Sequence, residues 1–242
     1  MPTRTDPTSM SVVPSTLTSI PKEPHMTNPD YTALLLIVDR SGSMKSIRDD
    51  MVGGLEALLA KQGKRPGQLT VDIIAFDDHV EHQAVFADPS TVRVVLEPRG
   101  RTALLDALGE SLEGFRSALD AMPQHARPAT VQVVVVTDGH ENASTKWTLP
   151  RVNKFVTELS AEFGWDFVYL GAGQDAIEVG RGLGFDAGSS MAWEASADGV
   201  AASSESLHRY MTDVRGSSKR DFLRSERVSA APSRGEDDAN TV

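Results

Sequence analysis

Four short runs of this chain are almost wholly apolar or β-branched: residues 33–38 (ALLLIV), 71–76 (VDIIAF), 131–136 (VQVVVV) and 166–170 (DFVYL). A strand with one wet face alternates apolar and polar residues, because successive side chains point to opposite sides. Runs that stay apolar must be covered on both faces, which is the situation of parallel strands held between helices. Helical stripes separate the runs. Met44, Ile47, Met51, Val52, Leu55, Leu58 and Leu59 share one helix face, with Ser46 and Asp49 as a capping box near its start. Leu104, Leu105, Leu108, Leu112, Phe115 and Leu119 form a second stripe. A third holds Val152, Phe155, Val156, Leu159 and Phe163, and a fourth Val200, Leu207, Tyr210, Met211 and Val214. Such stripes are core faces and carry no functional meaning. Strands alternating with them predict an α/β fold, a doubly wound and mostly parallel sheet with helices on both faces. Residues 80–86 follow the second run after a turn-length gap, and their Glu81, His82 and Gln83 suit one antiparallel edge strand.

The ends read differently. Residues 1–30 are crowded with Pro, Ser and Thr and bury too little apolar surface to offset the entropy of ordering them, so they read as a disordered tail. Both Met1 and Met26 are candidate starts. Residues 216–242 carry balanced charge and almost no apolar periodicity, and are expected to be disordered or weakly docked, with Phe222 and Leu223 as a tether. One domain is expected between them, over 31–215.

Composition narrows the function classes. The formal net charge is −10 and most of that excess lies within 31–215, so the Lys and Arg field that holds nucleic acid is missing and no nucleic-acid partner is expected. There is no cysteine, which removes thiolate chemistry and Cys-ligated metals and suits a reducing compartment. No apolar run approaches the roughly 20 residues of a membrane span, and the first 30 residues hold no signal-peptide core, so the reading is cytoplasmic with no membrane partner.

Ligands of open α/β sheets bind beyond the carboxyl ends of the strands. After the first run come Asp39, Arg40, Ser41, Gly42 and Ser43; after the third come Thr137, Asp138 and Gly139; before the second helix stand Gly100, Arg101 and Thr102. Asp39, Ser41, Ser43, Thr102 and Asp138 would converge there as two carboxylates and three hydroxyls. That is a hard-oxygen set suited to Mg²⁺ or Mn²⁺, with water completing the shell and one electrophilic position left for an incoming carboxylate.

At these residues the chain resembles the von Willebrand factor type A (vWA) family and its metal-ion-dependent adhesion site: Asp39-x-Ser41-x-Ser43, then Thr102, then Asp138-Gly139. The resemblance covers about residues 31–215, with the motif complete and in family order. It implies a metal-dependent protein-binding module. Asp39, Ser41 and Ser43 would be the primary ligand loop, Thr102 the ligand on a mobile loop, and Asp138 the carboxylate anchor. A protein partner would supply an Asp or Glu to the bound Mg²⁺. The flanking residues look like the family's bacterial intracellular branch, which implies a multiprotein assembly such as those containing AAA-type ATPases. No residue is assigned a catalytic or organic-cofactor role.

Other readings compete less well. A metal-dependent hydrolase or phosphoesterase could use the same Asp39, but Ser41 stands where such Asp-x-Asp loops carry their general acid, and no Lys marks a phosphate. Residues 171–176 fit Gly-x-Gly-x-x-Ala, yet Gly180, Gly182 and Gly184 punctuate what should be a long helix, so a tight strand-to-helix turn is expected. His79 and His82 alternate on a hairpin and do not pair. His140 and Glu141 should line the rim of the site, and Arg40 and Arg101 flank the ligands, where they would steer an acidic partner. Asn142-Ala143-Ser144 reads as a chance glycosylation sequon.

Overall fold

The computed structural model describes residues 27–173 and 175–232. Its six strands are β1 (Asn28–Asp39), β2 (Gln68–Phe76), β3 (Val80–Ala87), β4 (Pro128–Thr137), β5 (Asp166–Ala172) and β6 (Ser190–Trp193), in the sheet order β3-β2-β1-β4-β5-β6. All neighbours are parallel except β2 and β3. The continuous apolar runs behave as their burial demands. Leu34, Leu36 and Val38 of β1 enter one core layer, while Ala33, Leu35 and Ile37 enter the other.

The first layer is closed by α1 (Arg48–Gly63) and α5 (Ala197–Arg215), and the second by α2 (Leu104–Asp120), α3 (Leu149–Phe163) and α4 (Ala176–Leu183). Each fully buried Leu, Ile or Val stabilises the sheet by roughly 1.5–3 kcal/mol, so the two layers hold the strand ends in fixed register. That register sets Asp39, the last residue of β1, beside Phe76 at the end of β2, and Val38 beside Val136 of β4. Three loops therefore leave the sheet at one edge.

Several local expectations are corrected. Ser46 lies in a short 3-10 turn (Gly42–Ser46), and α1 begins after it with Ile47 as its uncapped N-cap, so the Ser46/Asp49 capping box does not form. α4 forms despite its glycines: Gly180 packs where a Cβ would stand 2.3 Å from Ser190 Oγ, and Gly184 closes the helix in the left-handed region at φ 93°. Asp175 caps α4 by accepting from the Ile177 and Glu178 amides, which is the tight turn expected there. β6 and the last helix, α6 (Arg224–Ala230), had no clear sequence signal.

The segment after α5 is docked as far as Ala231. Phe222, Ala230 and Ala231 are buried, and Arg227 donates to the carbonyls of Ala187, Gly188 and Ser190. Phe222 is the tether; Leu223 is exposed. Residues 1–26 and 233–242, which hold most of both expected tails, lie outside the described residues. Among the described residues no helix is long and apolar enough to cross a membrane.

Candidate metal centre

Asp39 is fully buried at the end of β1, where the chain turns outward. Its Oδ1 accepts the Ser41 amide at 2.7 Å and its Oδ2 accepts the Thr137 hydroxyl at 2.6 Å. Ser41 Oγ lies 3.0 Å from Ser43 Oγ, and Ser43 donates in turn to Asp138 Oδ1 at 2.7 Å. A hydroxyl chain thus links the β1 and β4 loops. Thr102 is buried just before α2.

Gly139 shows where the groups meet. A Cβ built there would stand 2.7 Å from Thr102 Oγ1, 3.4 Å from Asp39 Oδ2 and 3.6 Å from Ser41 Oγ. Only a residue without a side chain leaves that oxygen-lined space open. The structure therefore gathers all five expected residues at one place, three around the Gly139 cradle and Ser43 and Asp138 through direct hydrogen bonds.

Electrostatics set this group apart. Burial pushes the Asp39 carboxyl up to about 6, against its bonds from Thr137 and Ser41, and the nearby Asp138 charge adds to the rise. Burial also raises Asp138, against its bond from Ser43. Among the described residues neither carboxylate has a Lys or Arg ion-pair partner. Also among the described residues, no three His, Cys, Asp or Glu side chains cluster as a ready metal cage. This site has two carboxylates, and its remaining donors are hydroxyls. One buried and one half-buried carboxylate without an ion-pair partner, flanked by three hydroxyls, fit a small hard dication by the chemistry of the donors.

Sequence reasoning passed over the supporting residues. Thr137 reads as the last β4 residue, yet its hydroxyl fixes Asp39 and also accepts the Gly139 amide at 3.1 Å. Asn142, read as part of a sequon, exchanges two hydrogen bonds with Thr102: its Oδ1 accepts the Thr102 amide and its own amide donates to the Thr102 carbonyl, both at 3.0 Å. Glu141 is consumed by four donors, the amides of Leu105, Ala143 and Ser144 and the Ser144 hydroxyl, so it does not present its carboxylate at the rim. His140 is exposed there. The sequence hint was the capping-type residues Asn142, Ser144 and Thr145 in one short loop.

Arg40 is a correction. It is 3% exposed and buried beneath the site, with Nε 3.1 Å from Asp77 Oδ2 and Nη1 2.5 Å from Glu81. It cannot steer a partner from there. Arg101 is exposed and pairs with Asp78 at 3.3 Å.

No protein-family model matches the sequence, and comparison with curated proteins gives no match. Solved structures do match. Proximal thread matrix protein 1 from the mussel byssus superposes with a TM-score of 0.53 at 15% identity, over 74% of this chain and 45% of that one. The ArnB paralog VWA2 from Sulfolobus acidocaldarius gives 0.52 at 17% identity, over 78% and 45%. A von Willebrand factor type A protein from Catenulispora acidiphila gives 0.51 at 15% identity, over 74% and 42%.

The chain has the vWA fold.

At these identities the likeness speaks for the fold alone, and the chain spans less than half the length of these proteins. The sheet explains why the Asp39 and Asp138 loops share an edge: β1 and β4 are adjacent and parallel, so both end on the same side. One structure of the mussel protein is described with a zinc-occupied metal-ion-dependent adhesion site, at 17% identity and a TM-score of 0.51.

Proposed function

We propose that this vWA domain is a divalent-metal-dependent protein-binding module rather than an enzyme. Asp39, Ser41, Ser43, Thr102 and Asp138 would hold Mg²⁺ or Mn²⁺, directly or through water. The bound ion would supply a Lewis-acidic position for a carboxylate oxygen of an Asp or Glu on a protein partner. The chain's own residues do the rest. Thr137 and the Ser41 amide keep Asp39 oriented, Ser43 holds Asp138, and Gly139 leaves the space free.

The observation that carries this reading is the buried Asp39 and half-buried Asp138 carboxylates, gathered with three hydroxyls beside Gly139 and without a Lys or Arg ion-pair partner among the described residues. Zinc at the corresponding motif of the mussel protein is consistent with it. The setting we propose is cytoplasmic, in a multiprotein assembly of the kind that contains AAA-type ATPases.

Isothermal calorimetry and thermal melting test the reading. Mg²⁺ or Mn²⁺ at a hundred times its dissociation constant should stabilise the protein by about 2.7 kcal/mol, and Asp39→Ala should abolish the heat and the shift. A partner captured with Mg²⁺ should be released by EDTA. A wild-type protein that takes up neither ion would sink the proposal.

A further inference from the structure

The two loops that bring Thr102 and Asp138 to the site are bonded into one body. Seven hydrogen bonds join the start of α2 to residues 141–147. Thr102 and Asn142 exchange two of them, and the Leu105 and Asp106 amides donate to Glu141 Oε2 and Ser144 Oγ. The Asp106 carboxylate accepts the amides of Thr145, Lys146 and Trp147 at 2.8, 2.9 and 2.7 Å. Burial alone would raise Asp106, but these amides, with Lys146 nearby, hold it below the ordinary carboxylate range. The Trp147 ring lies flat against Gly109 of α2, where a Cβ would stand 2.0 Å from the indole. The Asp39–Ser43 loop joins this body through the Thr137 hydroxyl to Asp39, the Ser43 hydroxyl to Asp138, the Arg99 amide to the Arg40 carbonyl at 2.9 Å and a long 3.4 Å contact from the Gly42 amide to the Gly100 carbonyl.

The first turn of a helix leaves its amides without intrahelical partners. α2 has no capping side chain of its own, because Ala103 occupies its N-cap. The 141–144 stretch fills that role from another loop, and the cap consequently also sets where Thr102 stands. A ligand on a freely mobile loop would have its backbone bonded locally or to water. Here both main-chain groups of Thr102 are committed to Asn142.

We infer that Asn142 is a positioning residue: with Glu141 and Asp106 it clamps Thr102 to the Asp138–Gly139 loop, so that the metal site is preformed rather than assembled by movement of Thr102. This rests on the metal reading above. Residues that orient metal ligands from behind typically change affinity by roughly 10–100-fold when removed. Asn142 is itself exposed, so its replacement leaves the core intact.

Two measurements on the full chain test the clamp. In the metal-free protein, hydrogen exchange should show the Thr102, Leu105 and Asp106 amides protected. Asn142→Ala should release Thr102 while sparing the β1 and β4 amides, and Asn142→Asp, which keeps the accepting oxygen, should restore it. Calorimetry with Mn²⁺ should then show binding weakened about ten-fold or more in Asn142→Ala, with an unchanged melting temperature in EDTA. A Thr102 amide that exchanges freely in the wild type, or an Asn142→Ala variant with wild-type Mn²⁺ affinity, would overturn the clamp. If the wild type bound no metal, the metal reading would fall, and the exchange pattern would still decide whether Thr102 is held.

Discussion

Asp39 and Asp77 make an instructive pair. They stand at the ends of adjacent parallel strands, β1 and β2, and both are buried. Their surroundings are opposite. Asp77 receives Nε of Arg40 at 3.1 Å, Nε of Arg99 at 2.9 Å and the His79 amide at 2.8 Å. Burial alone would push its carboxyl up, but Arg99, the His79 amide and Arg40 outweigh that and hold it low. Asp39 receives the Ser41 amide and the hydroxyls of Thr137 and Ser41, has no Lys or Arg ion-pair partner among the described residues, faces Asp138, and sits at about 6. The same residue type at the same sheet edge is a completed structural hub in one place and, in the other, a buried carboxylate with no Lys or Arg ion pair among the described residues. Burial does not separate a scaffold residue from a site residue; the presence of built-in countercharge does.

The largest effect should come from breaking the completed member. Asp77→Ala strands Arg40, which is almost fully buried, and removing one partner of such a pair leaves a charge uncompensated. We expect about 3 kcal/mol of lost stability in urea unfolding, with or without Mg²⁺. A loss under 1 kcal/mol would mean that Glu81 alone satisfies Arg40.

The next largest should come from filling the cradle. Gly139→Ala places a methyl 2.7 Å from Thr102 Oγ1, inside van der Waals contact. Overpacking of this kind costs about 1–3 kcal/mol, and Mn²⁺ uptake in calorimetry should be lost along with it. Retained uptake would show that the five side chains do not depend on this opening.

The smallest effect has the most informative sign. Because the folded-state pKa of Asp39 is raised to about 6 from the ordinary 3.8, the folded protein holds that proton longer than the unfolded chain does. Ionisation of Asp39 therefore opposes folding, and its contribution to stability falls as pH rises between about 4 and 6. In EDTA, Asp39→Asn should remove this slope and stabilise the protein at pH 7 by about 1–2 kcal/mol, with no gain at pH 4. Mg²⁺ should reverse the order at pH 7, since only the wild type would gain from it. A variant less stable than wild type at pH 7 in EDTA would place Asp39 with Asp77, as a structural carboxylate.

Much of the fold was readable because burial on both faces leaves a distinct pattern. The runs of β1, β2, β4 and β5 and the stripes of α1, α2, α3 and α5 are long enough for that pattern to stand out. β6 is four residues, Ser-Met-Ala-Trp, without a β-branched side chain. It is a strand because β5 pairs with it, and Phe222 and Ala230 close the same core layer nearby. α6 likewise depends on Arg209, which donates to Glu226 and to the carbonyls of Arg220 and Asp221. Neither element carries its stability in its own residues.

The candidate site divides the same way. Sequence spacing alone picked out Asp39, Ser41, Ser43, Thr102 and Asp138, because ligand loops follow buried strands and their residue types state their chemistry. It could not tell Arg40 from Arg101: one turns inward to Asp77, the other outward to Asp78, and both simply precede a hydroxyl residue. Nor could it show Asn142 serving Thr102 across 40 positions. Apolar periodicity and side-chain chemistry are local properties of the chain. Countercharge, strand order and the clamp on Thr102 are relations between distant segments, and only packing the two core layers brings those segments together.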